Sequence, residues 1–316
     1  MTHFEKHQGY SRTFKEKKLT LGLFFPLEAY DGPIPKMDLE EQVNLAQLAE
    51  REGFASLFVR DVPLNDPYFG DAGQMYDPWV FLSYIAAQTK KIALGTGSAI
   101  TSFQNPLNLA KSAASFDKIS EQRLLFGLAT GDRPIEFNTF KVDREKRGDL
   151  FQESFYAMKE AWSTSYPTID SERVDLQGGA DLLPKPALGD IPTFVTGFSR
   201  QSLQWIAENS DGWISYPRDI AEQGKLITDF RALTNEFKPF AQSLYIDLTE
   251  DPHEGPTPIH LGFRSGYIFL IEYLQALQAI GVNHVMLNFK FAKRPIEDII
   301  LDLGENVVPH FPALTD

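Results

Sequence analysis

The sequence predicts a (β/α)8 TIM barrel, an α/β fold of eight parallel strands alternating with helices, with an insertion between strands four and five. Three observations support this prediction. Eight short apolar runs are each bounded by turn residues, and helical periodicity separates most of them. The runs are continuously apolar, which is typical of strands buried on both faces of a parallel sheet. Eight such units within about 250–300 residues fit a closed barrel better than an open sheet.

The elements follow one another from residue 19 onwards. The first helix shows the pattern most clearly, because Val43, Leu45 and Leu48 recur at helical spacing and Gly53 ends the segment. A capped helix also follows Ser199, with Leu203 on its apolar face. The predicted strands are 19–25, 56–60, 92–96, 124–129, 193–196, 212–215, 244–247 and 284–288, and the other predicted helices are 39–52, 78–89, 108–119, 144–162, 219–236 and 267–280.

Two segments depart from this alternation of strands and helices. Residues 1–18 are polar, and we expect them to form an arm outside the fold, with 19–316 as a single barrel domain. Residues 166–190 are rich in Pro and Gly and form the predicted insertion, with a small hairpin around 174–176.

Composition excludes several classes of function. The formal net charge of −13 disfavours nucleic acid and anionic membranes as partners, because both would repel the chain. The absence of cysteine excludes disulfides, thiolate metal sites and a cysteine nucleophile. The histidines show no metal-ligand spacing outside the polar arm, so no metal is predicted. No apolar signal segment or membrane span is visible, and we expect a cytoplasmic protein.

Residues 191–213 contain a candidate anion site. A buried strand ends at Gly197, which permits an abrupt turn, and a helix follows. The start of a helix offers unpaired backbone N–H groups and a positive dipole end, which suit a phosphate. Ser199 and Ser202 add hydroxyl donors and Arg200 adds charge. These residues alone are equally consistent with a capped helix that binds nothing.

In a barrel of this kind, the active site is built at the carboxyl ends of the strands. The residues at these positions are rich in Gly, Ser, Thr and aromatic side chains and poor in acid–base pairs, which favours cofactor binding over hydrolysis. A serine hydrolase is also disfavoured because Gln201 replaces the last Gly of a G-x-S-x-G motif. The positions are Pro26, Leu27, Glu28, Arg60, Asp61, 96–102, 130–136, 197–202, Phe289 and Lys290.

Residues 92–140, IALGTGSAITSFQNPLNLAKSAASFDKISEQRLLFGLATGDRPIEFNTF, resemble the bacterial-luciferase-like flavin-dependent monooxygenase family. The likeness lies in an ordered set of features. These are a strand ending in Gly and small residues, a Pro about ten residues on, an AxxxDxIS-xx-R-xxFG run and a Gly-containing loop. The order Ser199, Ser202, Trp205 also resembles that family's flavin-phosphate turn. The likeness extends from about residue 19 to 288.

The resemblance implies where a flavin would lie. Its phosphate would lie at the turn after strand five, and its ring against the exit of strand three, over a non-prolyl cis peptide between Thr96 and Gly97. The implied cofactor-binding residues are Thr96, Gly97, Thr130, Gly197, Phe198, Ser199, Arg200 and Ser202.

Two departures from the family pattern concern catalysis and charge. Val62 stands where luciferases carry a His, and Val cannot act as a general base. Asp61 is therefore a predicted catalytic residue, although it can equally pair with Arg60. Thr130 stands where the family carries a phosphate-binding Arg, so Arg133 and Arg200 are the candidate cations. Arg133, the second predicted catalytic residue, belongs to the loop 132–137, which is either a lid or a stiffened surface loop.

The resemblance implies a flavin-dependent monooxygenase. Reduced FMN, supplied by a separate reductase, and O₂ would oxidise a small organic substrate, and the protein would be a homodimer. One alternative is an F420-dependent hydride-transfer oxidoreductase on the same barrel. A second is a non-catalytic flavin-binding protein, which the absence of the family His favours. The sequence does not identify the substrate.

Overall fold

A computed structural model describes residues 3–70 and 72–315. Twelve strands occur in these residues, and eight of them close into a parallel barrel, so the predicted (β/α)8 fold is confirmed. The strands are β1 Thr20–Phe24, β2 Ser56–Val59, β3 Ala93–Ile100, β4 Leu124–Ala129, β5 Thr168–Asp170, β6 Asp175–Gln177, β7 Thr193–Thr196, β8 Gly212–Ser215, β9 Phe240–Leu248, β10 Thr257–Ile259, β11 Gly262–Ser265 and β12 His284–Asn288.

The barrel order is β1, β2, β3, β4, β7, β8, β9 and β12, with β12 pairing back onto β1. Neighbouring strands are parallel, so all eight carboxyl ends meet at one mouth. Nearly every residue of these eight strands is buried, which explains why the corresponding runs of the sequence are continuously apolar.

Helices cover the outside of the barrel through their apolar faces. In α2, for example, Leu45 and Leu48 are buried, and Asp38 caps the first turn by accepting from the Glu41 N–H. The helices are α1 Gln8–Thr13, α2 Leu39–Arg51, α3 Pro78–Gln88, α4 Pro106–Ile119, α5 Pro134–Thr139, α6 Arg147–Ser163, α7 Leu203–Asn209, α8 Ile220–Arg231, α9 Tyr267–Ala279 and α10 Ile296–Asn306. No helix among the described residues has the length and apolar character needed to cross a membrane.

Two hairpins interrupt the barrel. The antiparallel pair β5–β6 lies in the predicted insertion between the fourth and fifth barrel strands, where Ile169 faces Leu176. The second hairpin, β10–β11, was not predicted. It joins the sheet because β9 runs on past the barrel, and Tyr245 to Leu248 pair with β11. This hairpin lies at the barrel mouth.

The prediction that residues 1–18 lie outside the fold is wrong. Phe4, His7, Tyr10 and Phe14 are buried, and Phe4, Tyr10 and Phe14 all belong to a second apolar cluster that extends into the barrel interior. Phe4, His7, Tyr10 and Phe14 follow one another at intervals of three or four residues, so this otherwise polar segment has one face that can be buried. The His7 ring accepts from the Tyr10 N–H and donates to Asp117 at 2.9 Å, which ties the segment to α4.

Several boundaries also differ from the prediction. Strand three continues to Ile100, strand seven begins at Phe240, and the long helix begins at Arg147 after a short turn of 3₁₀ helix. The loop 132–137 becomes the start of α5, because Pro134 takes the first helical position, where its missing N–H costs nothing.

Candidate active site

A cavity of about 610 Å³ opens at the carboxyl mouth of the barrel. Residues from all eight barrel strands or the loops that follow them line it. The lining residues are Phe24, Arg60, Asp61, Val62, Phe69, Gly70, Gly97, Ser98, Ile100, Ala129, Thr130, Gly131, Asp132, Arg133, Thr196, Gly197, Phe198, Ser199, Ile214, Ser215, Tyr216, Ser243, Tyr245, His260, Leu261, Met286, Lys290 and Phe291.

The base of the cavity is apolar and closely packed. Phe24, Ile214 and Met286 supply side chains from three separate strands. Gly97 lies beside them, and a Cβ at this position would be only 2.8 Å from the Phe24 ring. A larger residue at position 97 would therefore displace the aromatic wall, so glycine keeps this face of the cavity flat.

The exit of β3 is irregular, but one bond later than predicted. The cis peptide lies between Gly97 and Ser98, not between Thr96 and Gly97. The Thr96 side chain is fully buried in the barrel wall and donates to the Gly127 carbonyl at 2.7 Å, which holds Thr96 in register with β4. The register then shifts before Ala99. Thr96 itself does not line the cavity, whereas Gly97 and Ser98 do.

The turn after β7 has an unusual backbone. Gly197, Ser199 and Arg200 have φ angles of 56°, 45° and 61°. The Gln201 N–H donates to the Phe198 carbonyl at 2.8 Å and closes a tight turn. Positive φ at two successive non-glycine residues carries a conformational cost, and such residues are concentrated at ligand sites.

Ser202, rather than Ser199, caps α7. Its hydroxyl accepts from the Trp205 N–H at 3.1 Å, whereas the Ser199 hydroxyl donates back to the Thr196 carbonyl at 2.8 Å. The prediction that Ser199 caps this helix is wrong, because the tight turn delays the helix until Leu203. Gly197, Phe198, Ser199 and Thr130 line the cavity, while Arg200 and Ser202 are exposed outside its lining.

Asp61 lies on the cavity wall, half-buried. Its carboxylate accepts the Ile100 N–H at 3.0 Å and the Gln104 amide at 3.3 Å. Burial raises the pKa of Asp61 to about 6, although these two hydrogen bonds act in the opposite direction. The structure therefore brings a carboxyl that titrates near neutral pH to the place where sequence reasoning put a base.

Arg133 also lines the cavity, but its guanidinium contacts the loop that follows β2. It donates to the Ala72 carbonyl at 2.6 Å and to the Leu64 carbonyl at 3.3 Å, and it lies 4.7 Å from the centre of the Phe69 ring. Phe69 is itself a lining residue. Arg133 therefore holds one wall of the cavity in place.

Glu136, one turn further along α5, was not predicted as a site residue. Its side chain is 2% exposed, and its Oε1 atom has no hydrogen-bond partner among the described residues. Burial raises the pKa of Glu136 to about 7, against the charge of Arg133 and the backbone N–H of Leu64. A buried carboxyl therefore lies directly behind the same loop.

The cavity also has a basic and aromatic side, which sequence reasoning predicted only in part. Arg60 donates to the Phe25 carbonyl and the Tyr245 hydroxyl, and the Lys290 ammonium lies 4.8 Å from the centre of the Tyr30 ring. His260 reaches the lining on the turn between β10 and β11, packed against Tyr245. Arg60 and Lys290 follow strand ends, so they were candidates; His260 depends on the unpredicted hairpin.

A comparison with known protein families identifies the fold's relatives. The sequence model of the luciferase-like monooxygenases matches residues 19–246, well over half of the chain. The chain belongs to this family. The resemblance seen in residues 92–140 is thus confirmed, and the cavity occupies the strand ends of a luciferase-like barrel, whose members include oxidoreductases and monooxygenases.

Individual relatives of this luciferase-like protein differ in their described activity. The uncharacterised protein Mb0978c of Mycobacterium bovis is 33% identical over 204 residues, which cover 59% of this chain and 72% of that protein. The F420-dependent hydroxymycolic acid dehydrogenase of Mycobacterium tuberculosis is 30% identical over 197 residues, covering 59% and 51%. The monooxygenase RslO1 from Streptomyces bottropensis shares the fold, with a TM-score of 0.76 at 17% identity, covering 93% and 100%.

Proposed function

We propose that this luciferase-like protein is a flavin-dependent monooxygenase that uses reduced FMN and O₂ on a small organic substrate. The observation that carries the proposal is the combination of a flat apolar wall at Phe24 and Gly97 with a strained turn whose residues Gly197–Ser199 line the same cavity and supply a hydroxyl group. The family supports an oxidoreductase; FMN, the separate reductase and the homodimer are our proposals.

The residues present fit such a cofactor. A volume of about 610 Å³ lies within the range of roughly 300–1,000 Å³ that ligand pockets occupy. The apolar base suits an aromatic ring system, and a side chain at position 97 would fill the space beside Phe24. Gly197, Phe198 and Ser199 would hold the phosphate end, and Gly97, Ser98 and Thr130 would lie against the ring.

The protein's contribution to the reaction would be orientation, proton handling and exclusion of water. A bound reduced flavin supplies the electrons and the reaction with oxygen. Asp61, with a pKa of about 6, is mostly ionised at neutral pH and can accept a proton from substrate or solvent at the cavity wall. Phe69, which lines the cavity and is held by Arg133, would help to exclude water from the site.

One specific observation favours a second candidate, hydride transfer with F420. The relative that is 30% identical to this chain is an F420-dependent dehydrogenase. A carboxylate such as Asp61 also suits alcohol oxidation, in which a base removes the hydroxyl proton as hydride leaves carbon. Val62, at the position of the luciferase His, is compatible with either chemistry.

Titration of the purified protein with FMN, reduced FMN and F420 separates the two candidates. Binding of reduced FMN, followed by oxygen uptake that depends on the protein, supports the monooxygenase. Binding of F420 with alcohol-dependent reduction of its chromophore supports the dehydrogenase instead.

Ser199→Asp should weaken binding of either phosphate-bearing cofactor about tenfold or more, because it adds negative charge at the turn. Ser163→Asp, at the exposed end of α6, is the matched control.

A protein that binds neither cofactor at micromolar concentration contradicts the proposal. Equal weakening by Ser199→Asp and Ser163→Asp would contradict the assignment of the turn as the phosphate site.

A further inference from the structure

Three basic side chains lie on one wall of the cavity at the barrel mouth. Arg60 follows β2, Lys290 follows β12, and His260 occupies the turn between β10 and β11. All three line the cavity, and we call them the basic wall. The net charge of the chain is −13, so basic residues gathered at one cavity run against the charge of the protein as a whole. This wall is therefore a place where an anion would be attracted.

Hydrogen bonds and aromatic packing fix the guanidinium of Arg60. One terminal nitrogen donates to the Phe25 carbonyl at 3.0 Å, and the other donates to the Tyr245 hydroxyl at 3.1 Å. The guanidinium carbon lies 4.5 Å from the centre of the Phe24 ring, which belongs to the apolar base of the cavity. A guanidinium held in this way is already ordered before an oxyanion binds, and its planar fork suits carboxylate and phosphate.

Aromatic rings hold the other two residues of the basic wall. Lys290 is 8% exposed, and its ammonium lies 4.8 Å from the centre of the Tyr30 ring and 5.8 Å from that of Phe291. His260 packs against Tyr245 and Phe291, at centroid distances of 5.9 and 6.4 Å. A positive charge withdrawn from bulk water attracts an anion more strongly than an exposed charge does. The wall thus combines basic groups with apolar surface.

The basic wall lies across the mouth from the turn after β7. The strands β9, β12, β1 and β2 are consecutive around the barrel, and the wall belongs to the loops that follow three of them. Three strands separate β1 from β7 in either direction, so these two strands are opposite each other. A cofactor with its phosphate at the β7 turn and its ring against Gly97 leaves the basic wall to another ligand. In the proposed reaction that ligand is the substrate.

The acidic residues in the described lining, Asp61 and Asp132, belong to a different side of the mouth. The Asp61 carboxylate is directed towards β3, since it accepts the Ile100 N–H at 3.0 Å and the Gln104 amide at 3.3 Å. Asp132 follows β4, which is opposite β12 in the barrel. The side formed by β9, β12, β1 and β2 is therefore the basic side of the cavity.

We propose that the substrate is an organic anion whose carboxylate or phosphate group binds to the basic wall. The inference rests on the proposed function and deepens it by naming the substrate class. Arg60 and Lys290 supply the positive charge, and His260 supplies a ring nitrogen. Tyr245 and Phe291 lie among these groups and suit the carbon skeleton that carries the anion. Because Arg60 lies over Phe24, the anionic end of the substrate is held beside the cofactor ring.

The test compares anions with uncharged analogues of similar shape. The full chain is loaded with oxidised FMN, or with F420 if it binds that cofactor instead, and titrated by calorimetry. The probes are benzoate and benzamide, hexanoate and hexanamide, and phenyl phosphate and phenol. Anions should bind about tenfold or more tightly than their uncharged analogues, and high salt should weaken the binding of the anions alone.

Variants of the basic wall locate the binding site. Arg60→Gln and Lys290→Gln should each weaken anion binding about tenfold, as expected for loss of one charge-assisted hydrogen bond, and leave the uncharged analogues within twofold. His260→Gln should weaken it about threefold and, at an exposed position, tests the wall even where Arg60→Gln fails to fold. Arg51→Gln, on the exposed surface of α2, removes a charge far from the mouth and should change nothing. Cofactor affinity should stay within twofold in all four variants.

The outcomes separate the inference from the proposed function. A preference for carboxylates or for phenyl phosphate that the wall variants abolish supports the inference and identifies the anionic group. Equal affinity for anions and uncharged analogues, or no binding of any anion, overturns it while the cofactor site stands. Loss of cofactor affinity in the wall variants, with anion binding unchanged, also overturns it and assigns the wall to the cofactor. A parent protein that binds neither FMN nor F420 overturns the proposed function, and the inference with it.

Discussion

Asp61 shows how a single buried carboxyl links stability to chemistry. Burial raises its pKa from the ordinary value of 3.8 to about 6. Between those pH values the native protein binds more protons than the unfolded chain. The free energy of unfolding therefore falls as pH rises from about 4 to about 6, and above that range the ionised carboxylate continues to destabilise the fold.

Replacing Asp61 with Asn should remove this penalty. Asn keeps an oxygen that can accept the Ile100 N–H but carries no charge. At pH 8 we expect the free energy of unfolding of Asp61→Asn to be higher than that of the parent protein by on the order of 1–3 kcal/mol. The range allows for the partial exposure of the Asp61 side chain to solvent. The gain should disappear near pH 4. Urea denaturation at pH 4, 6 and 8 measures it, and a difference independent of pH would contradict the assigned pKa.

The same substitution should lower turnover. If Asp61 accepts a proton during the reaction, Asp61→Asn is expected to lower kcat about 10²-fold or more while the cofactor binds as before. A gain in stability accompanied by a loss of activity is the pattern expected of a strained functional residue. Full activity in a correctly folded Asp61→Asn protein would show that the carboxyl acts only on stability.

Residues at strand ends were predictable, and residues brought in by tertiary packing were not. Asp61 and Ser199 follow buried strands, so the barrel fold alone predicts that they face the mouth. His260 reaches the cavity only because β11 adds to β9, and nothing in the local sequence sets that pairing. Arg200 packs closely against α6 only because Gly148 carries no side chain there.

At the scale of elements, α5 and the loop after β2 form one unit. Arg133 immediately precedes α5, Glu136 lies in its first turn, and both side chains contact the backbone of Leu64. The loop carries Phe69 and Gly70 to the cavity wall. The sequence placed Arg133 among the catalytic residues, but its contacts are those of a positioning residue.

Arg133→Gln should loosen this loop without unfolding the barrel. Loss of two hydrogen bonds to carbonyl groups and of the contact with Phe69 should speed amide hydrogen exchange in residues 62–70 by about tenfold. The KM for substrate should rise more than kcat falls. Arg231→Gln removes hydrogen bonds to the Gly281 carbonyl and to Asn283 Oδ1 at the other end of the barrel, and is the control. Unchanged exchange in the loop would show that Arg133 does not hold it.

Secondary-structure elements were predicted best where their residues are fully buried. The buried strands are visible in the sequence as apolar runs, and these runs predict the barrel. In contrast, α5 is too short to show helical periodicity and was predicted as a loop. The position of the cis peptide shows the same limit. The cis bond lies where the register of β3 against β4 shifts, between Thr96 and Ala99, and the local sequence alone does not define that register.

Across the whole molecule, the two ends of the barrel differ: the carboxyl end holds the candidate site, and the amino end is packed shut. The mouth carries the cavity, while the amino end is closed by the segment before β1. There Phe14 packs on Phe194 and against the edge of His284, at centroid distances of 5.1 and 5.8 Å. Burial lowers the pKa of His284 to about 3, so the ring is neutral, with Thr20 and Ser56 as its hydrogen-bond partners.

The last prediction separates these two ends. Phe14 is 5% exposed, and Phe14→Ala should lower the free energy of unfolding by about 3–4 kcal/mol, because it leaves a cavity among aromatic rings. Cofactor affinity of the folded protein should stay the same, since the segment does not reach the mouth. Ile119→Ala, at a position 66% exposed, should cost less than about 0.5 kcal/mol. Urea denaturation and cofactor titration measure both quantities. A large loss of stability for Phe14→Ala would show that the amino-terminal segment is part of the barrel's hydrophobic core. A small loss would contradict the prediction, because the barrel would then be stable without the contacts of this segment.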